Sequence, residues 1–227
     1  MKKQIEINTV FVTKDGYSIP KNRLSIAQKC GTVRVCKENE LIEAVKDFIG
    51  GELVVIIVGA CDDELLLNVL HKLRADDVYA MVAITSQGRS AGAFEKIKAA
   101  SGATLRIMPC EIKSLLLMLA TLNATAKFEN DELFRMLGCG EALYFASAKG
   151  NDVRAIRREV SRTLMLRYPA FSDRSCELVG MLAPSGTGAD VFDGCFTSFQ
   201  NCNSNVGRLT YGGVSGIDEV ELFVLCR

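Results

Sequence analysis

The sequence predicts an α/β protein in which a truncated, Rossmann-like parallel-sheet half precedes an α+β half with a mixed sheet. Continuous β-branched runs such as Leu53–Val58 are typical of strands that are covered on both faces. Strand and helix patterns then alternate with short loops, which favours parallel strands joined by crossover helices. The chain closes with two successive strand patterns, at 208–214 and 219–226, which we assign to the second sheet.

Elements of the first half follow from hydrophobic spacing. Alternating apolar residues predict a half-buried strand over 3–12, with Ile5, Ile7 and Phe11 on one face. Turn residues follow at 15–16 and at Pro20. Apolar residues at helical spacing predict four helices, and Asp62 can cap the start of the second one. The further strands are predicted at 32–36, 53–58, 78–85 and 103–108, and the helices at 40–49, 62–73, 91–100 and 112–122.

A polar break at 123–130 separates the two halves, so we predict domains at 1–122 and 123–227. In the second domain Asp152 is a candidate helix cap. Strands are predicted at 142–148, 177–183, 208–214 and 219–226, and helices at 131–137, 152–167 and 190–199.

Composition narrows the classes of function. The chain has 227 residues, 48% of them hydrophobic, which is enough for one large domain or two small ones. Its formal net charge of zero lacks the basic excess typical of nucleic-acid binding. The longest apolar stretch, 53–61, is too short for membrane insertion, and the first residues lack the apolar region of a signal peptide.

The cysteines and the single histidine bear on the cellular compartment and on metal binding. The nine cysteines are odd in number, scattered and mostly inside apolar runs, which is typical of reduced, buried thiols in a cytoplasmic protein. His71 is the only histidine, which leaves almost nothing for a histidine-based metal site or catalytic triad. We therefore predict no metal site and a cytoplasmic location.

Short motifs in the second half carry a family resemblance. They are GCGEAL at 138–143, ASAKGNDVR at 146–154, LVGMLAP at 178–184, FDGCFTSF at 192–199 and IDEVEL at 217–222. In order and spacing, this series resembles the C-terminal domain of the FtsZ/tubulin family from about Phe128 to the end. Residues 53–59, 78–85 and 104–109 look like the strands around that family's nucleotide-binding signature. The resemblance implies a tubulin-like first domain and an FtsZ-type second domain.

In that family a glycine-rich loop after the central strand binds the nucleotide phosphates. The matching residues here are Gly59, Ala60, Cys61, Asp62, Asp63 and Glu64. This segment has one glycine and three consecutive acids, whose carboxylates would repel a triphosphate or need a metal between. A plain helix N-terminus also explains the acids without any ligand. We therefore expect no bound GTP or GDP, and we regard Gly59, Ala60, Asp62 and Asp63 as a degenerate phosphate-loop position.

The family's second catalytic element is a loop that reaches the nucleotide of the neighbouring subunit. Here it corresponds to Thr125, Lys127, Phe128, Asn130 and Asp131. Lys127 stands where the resemblance expects an aspartate, and Asp131 comes one place late. The resemblance therefore implies a contact segment that does not trigger hydrolysis.

Two main hypotheses follow. The first is a non-hydrolysing FtsZ-like protein, not an enzyme, that acts by contact with an FtsZ-type protein or with itself, as a homo-oligomer, in cell division or a related filament system. The alternative is a nucleotide- or Mg²⁺-dependent small-molecule enzyme or sensor that uses Asp62, Asp63 and Glu64 as ligands. A structural, self-assembling protein unconnected with division is a third option.

Other motifs have a structural and a functional interpretation. The glycine-containing loops at 185–188 and 86–92, the latter with Arg89, are turns or anion sites. The basic helix is a solvated face or a binding patch. His71 is a partly exposed helix residue rather than a ligand. The arginines of that basic helix are Arg154, Arg157, Arg158, Arg162 and Arg167.

Overall fold

The computed structural model describes residues 5–13, 19–85, 89–124, 134, 137–138, 140–167, 176–202, 209–214 and 218–226. They form two compact units, Met1–Ala142 and Leu143–Arg227. In the first unit the strands are β1 (Ile7–Thr13), β2 (Val33–Lys37), β3 (Leu53–Val58), β4 (Tyr79–Ile84) and β5 (Ala103–Arg106). Its helices are α1 (Lys21–Gln28), α2 (Leu41–Lys46), α3 (Asp63–Ala75), α4 (Ala91–Ala100) and α5 (Ile112–Ala124), with 3₁₀ turns at Glu38–Glu40 and Pro109–Glu111.

The first unit is built on a parallel sheet in the order β2-β1-β3-β4-β5. One face of the sheet buries Val10, Val54, Ile56 and Val82 beneath side chains of α2, α3 and α4. Helix α1 packs on β1 and β2, and α5 packs on α1. The α/β class and the parallel pairing expected from the continuous apolar strands are thus confirmed.

Strand β1 is buried on both faces, so the prediction of a half-buried strand was wrong. It lies between β2 and β3, and six of its seven residues are buried. The polar residues Glu6 and Asn8, which alternate with Ile5, Ile7 and Thr9, gave the misleading alternation. The Asn8 side-chain oxygen accepts a hydrogen bond from the Thr32 backbone N–H at 3.0 Å, which satisfies one polar group inside the sheet.

Two helical predictions in this unit need correction. Helix α1 was not predicted, because Ile26 and Ala27 are the only buried residues among those whose side chains the structure describes in this short, polar segment. Helix α2 ends at Lys46 instead of residue 49. Helical spacing over 40–49 places Ile42 and Ile49 on one face with Leu41 and Val45, yet the side chains of Ile42 and Ile49 are 39% and 45% exposed.

The segment before the second unit is attached to the first one. The Tyr79 hydroxyl donates to the Gly138 carbonyl oxygen at 2.6 Å, and its ring stacks on Phe134 with centroids 4.9 Å apart. The Gly140 N–H donates to the Gly102 carbonyl oxygen at 2.7 Å. These contacts lie within the first compact unit, Met1–Ala142, and the domain boundary at the polar break after residue 122 stays a prediction.

The second unit holds a mixed sheet, as its sequence pattern predicts. Strand β6 (Glu141–Gly150) begins at the end of the first unit. The further elements are α6 (Val153–Arg167), β7 (Cys176–Pro184), α7 (Ala189–Cys202), β8 (Leu209–Val214) and β9 (Val220–Cys226). Strand β9 pairs antiparallel with β6 and β7, and β7 pairs parallel with β8. The core joins side chains of α6, α7 and the sheet, including Ile156, Val160, Leu164, Phe192 and Phe196.

None of the helices in the described part of the chain has the length and apolarity that crossing a bilayer requires.

Candidate functional site

The candidate site lies at the carboxyl edge of the first unit's sheet. Strands β2, β3 and β4 run parallel, so the loops that follow them emerge at the same edge. The 3₁₀ turn Glu38–Glu40 follows β2, the segment from Gly59 to Asp62 follows β3, and Arg89 follows β4. Ligands of open α/β sheets bind at such edges, so these loops are where a nucleotide-type ligand would meet the chain.

Asp62 caps helix α3, as the sequence predicts. Its Oδ1 accepts hydrogen bonds from the backbone N–H groups of Glu64 at 2.7 Å and Leu65 at 3.3 Å. These are orphan donors of the first helical turn, the same groups that helix N-termini offer to anions. The chain's own carboxylate therefore already occupies them.

A second carboxylate reaches the same loop from elsewhere in the sequence. Glu38 Oε1 accepts a hydrogen bond from the backbone N–H of Asp62. Its turn is fixed by Glu40, whose carboxylate accepts from the Lys37 N–H at 2.9 Å. Sequence reasoning missed Glu38, because the contact joins residues 24 positions apart and no local pattern marks it.

Arg89 is buried against the loop that follows β3. Its side chain is 7% exposed and forms an ion pair with Asp63 at 2.7 Å, from Nη1 to Oδ1. Nη2 also donates to the carbonyl oxygens of Cys61 at 3.2 Å and Gly59 at 3.4 Å. From the sequence, Arg89 is either an anion ligand or part of a plain loop. It is instead an internal counter-ion of Asp63; residues 86–88 lie outside the described residues.

Cys61 sits among these charged groups and is held neutral. Burial, followed by the nearby Glu38 carboxylate, raises the pKa of the Cys61 thiol to about 12. The thiol donates to the Asp62 carbonyl oxygen at 3.5 Å. Because the thiolate is the nucleophilic form, this environment opposes a catalytic role for Cys61.

The three acids after β3 do not converge as a magnesium site would require. Asp62 faces the helix amides, Asp63 faces Arg89, and the Glu64 side chain is exposed. Across the described residues there is no group of three or more histidine, cysteine, aspartate or glutamate side chains placed to hold one metal ion. The three neighbouring acids thus lie in three different environments.

Gly59 and Ala60 lie between β3 and the cap. A Cβ atom added at Gly59 would meet only Thr85 Oγ1, at the ordinary distance of 3.6 Å, and no left-handed backbone requires a glycine there. Ala60 is exposed. The single glycine of this loop thus serves neither a close backbone approach nor a special turn.

The predicted interface residues Thr125, Lys127, Phe128, Asn130 and Asp131 lie outside the described residues.

Other candidate motifs take their structural interpretation. In the 185–188 loop, the Thr187 N–H and hydroxyl both donate to the Pro184 carbonyl oxygen, at 3.1 and 2.8 Å, which closes a tight turn. His71 is exposed on α3. On α6, Arg162 pairs with Glu159 at 3.0 Å, and both side chains are more than half exposed.

No protein-family model matches the sequence, and no curated protein matches it either. Solved structures do share its fold. The empty FtsZ dimer of M. jannaschii aligns at a TM-score of 0.64 and 7% identity, over 99% of this chain and 88% of that chain. A point mutant of the same FtsZ gives 0.66 and 10%, over 98% and 90%. CetZ from Methanosaeta thermophila gives 0.55 and 8%, over 97% and 86%. The chain therefore has the fold of FtsZ and CetZ, the α/β fold of the tubulin-like proteins.

Proposed function

We propose that this protein acts by contact with other proteins, either an FtsZ-type protein or further copies of itself, in cell division or a related filament system. We also propose that it does not hydrolyse GTP. The fold supports the first part, since one of the structures that share it is an FtsZ dimer. Fold alone does not fix function, so the second part rests on the site.

The observation that carries the proposal is the occupation of the loop after β3 by the chain's own carboxylates. Glu38 accepts from the Asp62 N–H, and Asp62 accepts from the Glu64 and Leu65 N–H groups of α3. A polyphosphate needs converging free N–H groups at such a position. Here a phosphate would have to displace two carboxylates and approach others, which Coulomb repulsion opposes.

Three measurements on the purified protein test the proposal. Co-sedimentation with FtsZ from the same organism, and light scattering across protein concentration, report association with FtsZ and with itself. Release of inorganic phosphate from GTP reports hydrolysis. We expect association in at least one assay and no phosphate release above a protein-free blank. Steady GTP turnover contradicts the second part, and a protein that stays monomeric and ignores FtsZ contradicts the first.

A further inference from the structure

The three loops at the carboxyl edge are tied to one another by charged groups of the chain itself. Glu38, after β2, binds the backbone N–H of Asp62, after β3. Arg89, after β4, binds two carbonyl oxygens of the loop after β3 and pairs with Asp63 at 2.7 Å. Each tie joins loops that are at least 24 residues apart in sequence, so none of them is a local turn interaction.

The Arg89 guanidinium is buried, and its Nη1 faces Asp63 Oδ1 at 2.7 Å. Arg89 Nε and Nη1 and Asp63 Oδ1 are buried and make no aligned hydrogen bond, although Nη1 and Oδ1 face each other as an ion pair. A buried guanidinium needs an anionic partner, because desolvating an unpaired charge is costly. Asp63 is that partner, so the loop holding Arg89 and the start of α3 are bound through opposite charges.

We infer that Glu38, Asp63 and Arg89 form an internal charge clamp that takes the place of a bound ligand. At the edge of an open α/β sheet, a bound anion is held by backbone amides and by a cationic side chain. Here the Glu38 carboxylate meets the amide and the Asp63 carboxylate meets the cation. The clamp thus holds the three loops in one arrangement without nucleotide. Its regulatory consequence rests on the proposed function: contact with protein partners would be independent of GTP and GDP.

Backbone hydrogen exchange of the full chain tests the clamp directly. In the wild type, adding GTP, GDP or inorganic phosphate should leave exchange of the amides of Asp62, Glu64 and Leu65 unchanged. Glu38→Ala should speed exchange at Asp62 by about tenfold or more, since its acceptor is lost. The charge-neutral double variant Arg89→Met with Asp63→Asn should loosen the same loop without leaving a buried charge unpaired.

Arg34→Gln is the matched control. It breaks an ion pair to Asp47 at 2.7 Å within the same unit, between side chains that are about half exposed, so the loop after β3 should exchange as in the wild type. Wild-type amides that become protected on addition of nucleotide or phosphate overturn the inference, as does Glu38→Ala exchange equal to that of the wild type.

Sedimentation of the same proteins separates this inference from the proposed function. If Glu38→Ala loosens the loop while the wild type associates with nothing, the clamp stands and the proposed function fails. If the wild type associates but the Glu38→Ala loop stays protected, the proposed function stands and the clamp fails. Where the wild type associates, equal association with and without GTP supports both, and a GTP requirement contradicts the clamp.

Discussion

Asp62 is the residue whose role differs most between the two main hypotheses. As a helix cap it accepts the N–H groups of Glu64 and Leu65 through Oδ1; as a metal ligand it would bind the ion through a carboxylate oxygen. A cap stabilises the protein without any ion, whereas a ligand adds stability only when Mg²⁺ is present, so unfolding with and without Mg²⁺ distinguishes the two roles.

Asp62→Ala is expected to lower the free energy of unfolding by about 1 kcal/mol, because two amides of α3 lose their acceptor. Asp62→Asn should cost less, since asparagine caps nearly as well. Urea unfolding measures both. Ser90→Ala is the matched control, because Ser90 caps α4 by accepting from the Ala93 N–H at 3.2 Å and should lose a similar amount. A Mg²⁺-dependent stabilisation that Asp62→Asn abolishes would favour the enzyme or sensor alternative instead.

The burial of two thiols predicts how the stability of the protein changes at alkaline pH. Burial raises the pKa of Cys30 and of Cys36 from 9.0 to about 11. Above pH 9 the unfolded chain therefore releases these protons while the folded chain keeps them. Stability from this source is fully present below pH 9 and is lost as the pH rises towards 11.

At pH 10 each of these thiols should cost about 1 kcal/mol relative to pH 8. The measurement is the change in unfolding free energy between the two pH values, for the wild type and for Cys30→Val with Cys36→Val. The double variant should lose less on going to pH 10, and lysines and tyrosines cancel because both proteins carry them. An equal loss in the two proteins would show that the thiols titrate normally when folded.

At the scale of elements, two glycines beside the first sheet have opposite requirements. A Cβ atom at Gly31, just before β2, would lie 2.6 Å from the Ile7 carbonyl oxygen, whereas one at Gly59 would lie 3.6 Å from Thr85 Oγ1. Gly31→Ala should therefore destabilise the protein by about 2 kcal/mol through overpacking against backbone. Gly59→Ala should change stability by less than about 0.5 kcal/mol. Thermal unfolding compares them, and a large loss at Gly59 would mean that its backbone is constrained after all.

The sequence predicts elements well where a periodic apolar pattern is long. Strand β3 and helix α4 have the predicted bounds, and the Asp62 and Asp152 caps are confirmed: Asp152 accepts from the Arg154 N–H at 2.9 Å. Prediction fails where few side chains are buried, as in α1, and where polar residues occupy a central strand, as Asn8 and Thr9 do in β1.

In the candidate site, too, the local contacts can be predicted from the sequence and the long-range contacts cannot. The cap at Asp62 is local, so its position in the sequence reveals it. The contacts of Glu38 with Asp62 and of Arg89 with Asp63 depend on which strands are neighbours, and the order β2-β1-β3-β4-β5 is a property of the folded sheet. Two of the three acids that looked repulsive to a phosphate in the sequence, Asp62 and Asp63, therefore prove to have partners of their own.

At the scale of the whole molecule, the extent of the first unit is testable with fragments. Three contacts of this unit each involve one residue beyond position 122. They are the hydrogen bond from the Tyr79 hydroxyl to Gly138, the stack of Tyr79 on Phe134 and the hydrogen bond from Gly140 to Gly102. A fragment of residues 1–142 keeps these contacts, and one of residues 1–122 loses them.

Fragment 1–142 should fold cooperatively and be more stable than fragment 1–122 by about 2 kcal/mol, from one aromatic pair and two hydrogen bonds. Circular dichroism with thermal unfolding measures the difference. Tyr79→Phe in the longer fragment keeps the ring but removes its hydroxyl. This variant should therefore lose only part of the difference in stability between the two fragments. Equal stability of the two fragments would place the boundary at the polar break instead.

The environment of Tyr79 also makes it an optical reporter. The chain contains no tryptophan, so tyrosine emission is not lost by energy transfer to an indole. The Tyr79 ring is stacked on Phe134 and its hydroxyl is bound to a carbonyl oxygen. Its fluorescence and near-ultraviolet dichroism, isolated by subtracting a Tyr79→Phe spectrum, thus follow the docking of this segment without any added label.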